Sequence, residues 1–223
     1  MQGKLIVIEG LDSSGKETQS KLLQKKLENM GKTVKRFEFP NYESNSSALV
    51  KMYLSGDFGN NADDVSPYSA SSFYAVDRFA TWKTSMEKFY NNGGIVIADR
   101  YTTSNIIHQA GKLENVQEKD DFILWLEDYE YAKMGLPKPD VVVFLHMPTE
   151  VSIRLMENRR NKAGTKDKDI HEANYEYLKS TYKNAMDIKD KCGFKLVECC
   201  CGDTVRSIED IHKDIMSMVT DMI

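Results

Sequence analysis

The chain is 223 residues long, 41% hydrophobic and 29% charged, with a net charge of −4 at pH 7. That length supports one large domain or a domain with a small mobile insert, and the composition is that of a globular rather than a disordered chain. There is no basic excess to hold a polynucleotide backbone and no apolar run of membrane-spanning length, so any nucleotide partner is expected to be a small molecule.

The first strand signal is Leu5–Glu9, and the helix signal Lys16–Met30 follows it closely. Between them lies Gly10-Leu11-Asp12-Ser13-Ser14-Gly15-Lys16-Glu17-Thr18. In this strand–loop–helix context the G-x-x-x-x-G-K spacing reads as a cradle for the phosphates of a nucleoside triphosphate such as ATP. The glycines let successive N–H groups turn inward, the helix adds its positive dipole end, and Lys16 adds a full charge. An ordinary strand-to-helix turn with chance glycines is the bland alternative. The hydroxyl residue usual after the lysine, which helps to hold Mg²⁺, is here Glu17, leaving Thr18, Asp12 or water to serve. Because the chain enters this strand directly, a signal peptide is not expected, and a cytoplasmic protein is.

The second strand signal, Val34–Phe39, stops at Pro40, and Tyr42 lies just beyond it with a hydroxyl able to reach a phosphate. A helix at Ser46–Ser55 and a glycine- and aspartate-rich loop, residues 56–67, lead into a long helix signal, Tyr68–Tyr90. There Tyr74 and Arg78 are four apart, so a ring and a guanidinium are neighbours that could sandwich a base and donate to its carbonyl oxygen. Phe73, Val76, Phe79 and Ala80 read as packing. The third strand signal, Ile95–Asp99, ends on Asp99 and Arg100. Asp99 could accept a proton or hold Mg²⁺ through water, and Arg100 could grip a phosphate with its planar fork, unless the two form a structural ion pair. A helix at Asn105–Ala110 would put Ser104 with His108 on one face and Asn105 with Gln109 on the next, polar groups suited to a base edge or merely to a wet surface.

The remaining signals are helix Glu118–Met134, strand Val141–His146, helices Thr149–Asn158 and His171–Lys191, strand Phe194–Glu198 and helix Ser207–Met222. Near-continuous apolar strands between amphipathic helices predict an α/β fold, a parallel sheet covered on both faces, with ligands beyond the strands' carboxyl ends. Residues 158–170, charged and almost without apolar side chains, read as a mobile lid over phosphates or as a solvated loop. Cys192, Cys199, Cys200 and Cys201 have no C-x-x-C spacing and read as reduced, partly buried thiols rather than a metal site.

Together these segments resemble the thymidylate kinases (dTMP kinases) of the bacterial type over essentially the whole length. The resemblance rests on the phosphate loop Ile8–Gln19, Phe39–Tyr42, Phe73–Arg78, Asp99–Gln109, and a lid with Arg159 and Arg160 followed by Asp169 and Glu172. It implies a five-stranded parallel sheet in one domain, residues 1–223, transfer of the ATP γ-phosphoryl group to dTMP, Mg²⁺, and a homodimer. It also implies roles. Lys16 would hold ATP phosphates within the loop Gly10 to Thr18. Pro40, Tyr42 and Arg100 would flank the acceptor phosphate, and Asp12, Glu17 and Asp99 would be candidate metal ligands. Tyr74 would stack on thymine and Arg78 donate to its 4-carbonyl. Asp12, Ser104, Asn105, His108 and Gln109 would line base and sugar, and Arg159 or Arg160 would supply the lid cation. Two departures bear on this: Tyr74 stands where phenylalanine is commoner, and His108 where some relatives have a tyrosine that screens out a ribose. A P-loop kinase for another nucleotide or nucleoside is the alternative. A non-catalytic GTP switch is disfavoured, because Asn161-Lys162-Ala163-Gly164 lacks the aspartate of its base-reading motif.

Overall fold

Five short apolar runs become the strands β1 (Lys4–Gly10), β2 (Val34–Glu38), β3 (Ile95–Asp99), β4 (Val141–His146) and β5 (Lys195–Glu198) of one sheet in the computed structural model, which describes residues 2–163 and 175–223. The order is β2-β3-β1-β4-β5, and every pairing is parallel. The central strands are apolar at nearly every position because both faces are covered. Leu5, Val7, Val96, Ala98 and Phe144 face one core; Ile6, Ile8, Ile97, Val143 and Leu145 face the other. This is the period-two alternation of a strand, with each face given its own helical layer.

The helices are α1 (Lys16–Asn29), α2 (Ala48–Ser55), α3 (Pro67–Thr81), α4 (Glu87–Asn91), α5 (Thr102–His108), α6 (Val116–Glu127), α7 (Thr149–Ala163), α8 (Tyr175–Ile188) and α9 (Ile208–Val219). Leu23 and Leu27 of α1, with Ile211, Ile215 and Val219 of α9, cover one face of the sheet. The i, i+4 spacing aligns them as a stripe, and burying each such side chain contributes about 1.5–3 kcal/mol. Side-chain caps start three helices: Ser66 accepts from the Ser69 N–H ahead of Pro67, Asn115 from Gln117, and Ser207 from Asp210.

Several helix boundaries differ from the sequence reading. The helix expected at Asn105–Ala110 spans Thr102–His108, and a carboxylate remote in sequence holds its start: Glu9 accepts from the Tyr101 N–H at 3.1 Å and the Thr103 hydroxyl at 2.7 Å. The helices expected at Tyr68–Tyr90 and Glu118–Met134 each contain a π-helical stretch, Trp82–Met86 and Asp128–Lys133, which shifts the facing of everything after it. The helix expected to stop at Asn158 runs on to Ala163, so Arg159 and Arg160 belong to a helix rather than a loop. Their side chains, and the rest of the expected lid including Asp169 and Glu172, lie outside the described residues. Val76 and Phe79, expected to pack, are exposed. An antiparallel hairpin, β6 (Cys200–Cys201) with β7 (Thr204–Val205), follows β5. The four cysteines are free thiols, and burial raises Cys192 to about 11 and Cys199 to about 12.

Candidate active site

The carboxyl ends of β1 and β3 hold the two charged segments that organise the site. After β1 the chain turns through Gly10 (φ 150°), Ser13 (φ 59°) and Gly15 (φ 91°), the last being the residue before α1. A Cβ at Gly10 would come within 2.6 Å of the Ser14 hydroxyl and 3.0 Å of the Leu145 carbonyl, so this position requires glycine. After β3, Arg100 is held at φ 66°, uncommon for a non-glycine residue and a known accompaniment of functional sites.

Asp99 and Arg100 are neighbours in sequence but not an ion pair. The buried Asp99 carboxylate accepts from Arg36 at 2.8 Å and from the Ser20 hydroxyl at 3.3 Å. Arg100 turns the other way and pairs with Asp12. Its Nη1 also lies 3.4 Å from the Gly10 carbonyl, 3.4 Å from the Ser104 hydroxyl and 3.2 Å from His108 Nε2. Since a guanidinium can only donate, Nε2 accepts, and the His108 proton sits on Nδ1, 3.4 Å from the Tyr177 hydroxyl. Burial disfavours the Arg100 charge, but Asp12, Glu9 and Asp99 outweigh it and hold its pKa above the ordinary arginine value.

Lys16 lies back across the loop, donating to the Leu11 carbonyl at 2.7 Å, with its Nζ 4.0 Å from Asp12. Burial lowers its pKa to about 8. Arg100 adds to the drop, while Asp12, Asp99 and Glu9 oppose it. Leu11 and Ser14 are buried, and the Ser14 N–H is spent on the Leu11 carbonyl, so not every loop amide points at an anion. Glu17 is exposed and pairs with Lys21 at 2.5 Å.

Two cavities meet at this point. The first brings together Asp12, Pro40, Tyr42, Tyr74, Arg78, Arg100, Ser104, Asn105, His108 and Gln109, along with Phe39 and Leu54. The second is a broader cleft lined by Asp12, Ser13, Gly15, Lys16, Glu17, Thr18, Asp99 and Arg100. Asp12, Phe39, Pro40, Tyr42 and Arg100 belong to both. Neither polar atom of the buried Gln109 amide has a hydrogen-bond partner among the described residues, although the side chain lines the first cavity. A buried amide left in that state points to a polar ligand as its partner. Arg78 is 2% exposed, its Nε and Nη2 bonded to Glu130 at 2.7 and 2.5 Å. Glu130 outweighs the cost of burial and raises the arginine's pKa.

The thymidylate kinase family model matches residues 8–215. The chain belongs to the thymidylate kinase family. It is an ATP-dependent kinase that transfers the γ-phosphoryl group of ATP to dTMP, giving dTDP and ADP. The thymidylate kinase of Mycobacterium tuberculosis is 31% identical over 179 residues, 79% of this chain and 81% of that one. Those of Plasmodium falciparum and Homo sapiens are 30% and 27% identical, covering 98% and 100% of this chain and 90% and 92% of theirs. Among solved structures, the thymidylate kinase of Candida albicans, described as showing the origin of broad substrate specificity, superposes with a TM-score of 0.72 at 22% identity, covering 99% of this chain and 92% of that one. That likeness shows the fold.

Sequence reasoning missed several members of this thymidylate kinase site. Glu9 is fully buried and accepts from the Tyr101 N–H and from the Thr103 and Ser104 hydroxyls, and burial raises its pKa. A carboxylate directly following the apolar run Leu5–Ile8, within the expected strand, was the available signal. Arg36, which holds Asp99, sits on an ordinary-looking edge strand. Glu130 had no signal, because the π-helical stretch that turns it inward is not legible in the sequence.

Proposed function

We propose that dTMP occupies the first cavity and the ATP phosphates the second, so that the two phosphate chains meet between Arg100 and Lys16. The observation that carries this reading is that both cavities share the Asp12–Arg100 pair. Phosphoryl transfer asks for in-line positioning and for cancellation of charge on the moving group. Lys16 meets the donor phosphates. Arg100 and Tyr42 meet the acceptor phosphate, Tyr74 stacks on thymine, and Arg78 donates to the 4-carbonyl. Ser104, Asn105, His108 and Gln109 line the base and sugar.

Mg²⁺ fits the donor set. Asp12, Glu17, Thr18 and Asp99 all line the second cleft with hard oxygens, while among the described residues no group of three acidic, histidine or cysteine side chains could hold a metal by itself. That suits an ion carried largely by phosphates and water, with Asp12 and Asp99 holding it from the protein side. When bound, it would offset the negative charge of the phosphates.

The chain acts as one domain with a lid at residues 158–170, in which Arg159 or Arg160 supplies the closing cation. Arg159→Ala and Arg160→Ala are each to be tested by steady-state kinetics. At least one is expected to lower kcat about 10³-fold with KM for dTMP little changed; if neither slows turnover, the lid assignment is wrong. A homodimer is supported by apolar side chains exposed on the packed pair α2 and α3, namely Leu49, Met52, Val76 and Phe79. No helix among the described residues is long and apolar enough to cross a membrane, and we assign the enzyme to the cytoplasm.

The thymine site is tested with Arg78→Lys, which keeps a cation beside Glu130 and loses the fork. KM for dTMP is expected to rise about 10- to 100-fold, with KM for ATP unchanged. Equal losses for both substrates would sink the base-reading role.

A further inference from the structure

Glu130 is a fully buried charge beside the first cavity to which the roles above give no task. It lies in the π-helical stretch Asp128–Lys133 with no solvent exposure. Its two oxygens accept from Arg78 Nε at 2.7 Å, Arg78 Nη2 at 2.5 Å, the Thr102 hydroxyl at 2.6 Å and Asn105 Nδ2 at 3.4 Å. Two of these three partners, Arg78 and Asn105, also line the cavity.

The carboxylate dictates which end of each side chain is left for a ligand. Glu130 takes the Nε–H and one Nη2–H of Arg78, and Nη1 lies 3.4 Å from the Tyr101 carbonyl, so what the guanidinium has left for a ligand is donor only, at its terminal nitrogens. Asn105 places Nδ2 against two acceptors, the Glu130 carboxylate and the Ser71 carbonyl at 3.3 Å. Only an amide nitrogen can stand there, so the amide is not free to turn over, and Oδ1 is the end it offers to the cavity. The base therefore meets one donor from Arg78 and one acceptor from Asn105. A pyrimidine with a 4-oxo group and an N3–H matches both. A 4-aminopyrimidine, whose N3 is bare, mismatches both, setting donor against donor and acceptor against acceptor.

We infer that Glu130 is the positioning residue that sets base selectivity, by locking Arg78 and Asn105 into a donor–acceptor pair that admits 4-oxo and rejects 4-amino pyrimidine monophosphates. This rests on the thymine site proposed above. Only an acceptor free of protons can serve all four donors. An amide in its place would turn an N–H₂ toward one of them and release Asn105 to rotate.

The test compares kcat/KM for dTMP with that for 5-methyl-dCMP, which differs from dTMP at the 4-position and in the N3 proton, at saturating ATP. In Glu130→Gln the preference for dTMP is expected to fall at least about tenfold, mainly through a higher KM for dTMP, with KM for ATP unchanged. Thr102→Val removes one donor from Glu130 at a residue that does not line the cavity. It should shift the preference the same way by a smaller factor, and it decides the matter if Glu130→Gln does not fold. An unchanged preference, or equal losses for both nucleotides, would overturn the inference, the second outcome marking a purely structural role. The thymine site is judged separately: if Arg78→Lys leaves KM for dTMP unmoved, the site itself is wrong. If that KM rises while Glu130→Gln keeps the preference, only the role of Glu130 falls.

Discussion

An Arg100→Ala enzyme is expected to lose about 10³-fold in kcat/KM for dTMP while its affinity for ATP changes little, because arginines that offset charge on a transferred phosphoryl group are worth at least that much. Arg100 is placed for this by backbone as well as by partners: its φ of 66° turns the side chain off the strand tip and toward Asp12, Ser104 and His108. Truncation removes a fork from the acceptor phosphate and also takes away the nearer of the two cations beside the Asp12 carboxylate, Lys16 being 4.0 Å away, at the junction of the two cavities. Arg100→Lys keeps the charge but cannot make two parallel bonds, so a loss of about 10- to 100-fold should remain. Since Asp12, Glu9 and Asp99 hold the guanidinium ionised against burial, these losses should be the same across the working pH range. Steady-state kinetics with each substrate varied in turn checks all of this. An alanine variant with unaltered dTMP kinetics would remove Arg100 from the acceptor site.

The sheet was legible because its three central strands are buried on both faces, which forces near-continuous apolar runs. Ile95–Asp99 and Val141–His146 coincide with the expected bounds, β1 is one residue longer at each end, and β2 and β5 are each one residue shorter at one end. The phosphate loop was legible because its glycines and lysine answer a local backbone requirement. What stayed hidden depends on contacts between residues distant in the chain. Nothing near Thr102 announces a helix start; the residues there are held by Glu9, ninety-odd positions earlier. The sequence puts Asp99 beside Arg100, but Arg36 and Ser20 claim one and Asp12 the other. Arg78 was expected to donate to a base carbonyl, and nothing in the sequence signalled that its Nε and Nη2 are bonded to Glu130, which a π-helical stretch rotates into the core. Ten side chains scattered between residues 12 and 109 nonetheless line one cavity as the resemblance implied, because a parallel sheet gathers its strand ends on one rim.

Lys16→Met should lower kcat about 10²- to 10³-fold and, separately, abolish a pH dependence that the parent enzyme is expected to have. In the unliganded site Lys16 has a pKa of about 8, lowered first by burial and then by Arg100. Bound triphosphate favours the charged ammonium, so the pKa in the complex is higher than in the free enzyme. The sign follows. Below pH 8 Lys16 is protonated in both states, and ATP affinity is flat. Above pH 8 the free enzyme has lost the proton and must regain it on binding, so affinity falls as pH rises, by up to about tenfold per unit until the higher pKa is passed. Calorimetric titration of ATP at pH 9 in two buffers of different ionisation enthalpy should record the uptake of close to one proton by the parent and none by Lys16→Met. Equal uptake by both would assign the proton to another group. The two largest predictions are also coupled. Arg100 is one of the causes that depress Lys16, so Arg100→Ala should move the break in ATP affinity above pH 8 even though it leaves the affinity at neutral pH nearly unchanged. A break that stays in place would mean that the two cations, one for each phosphate chain, do not sense each other across the junction.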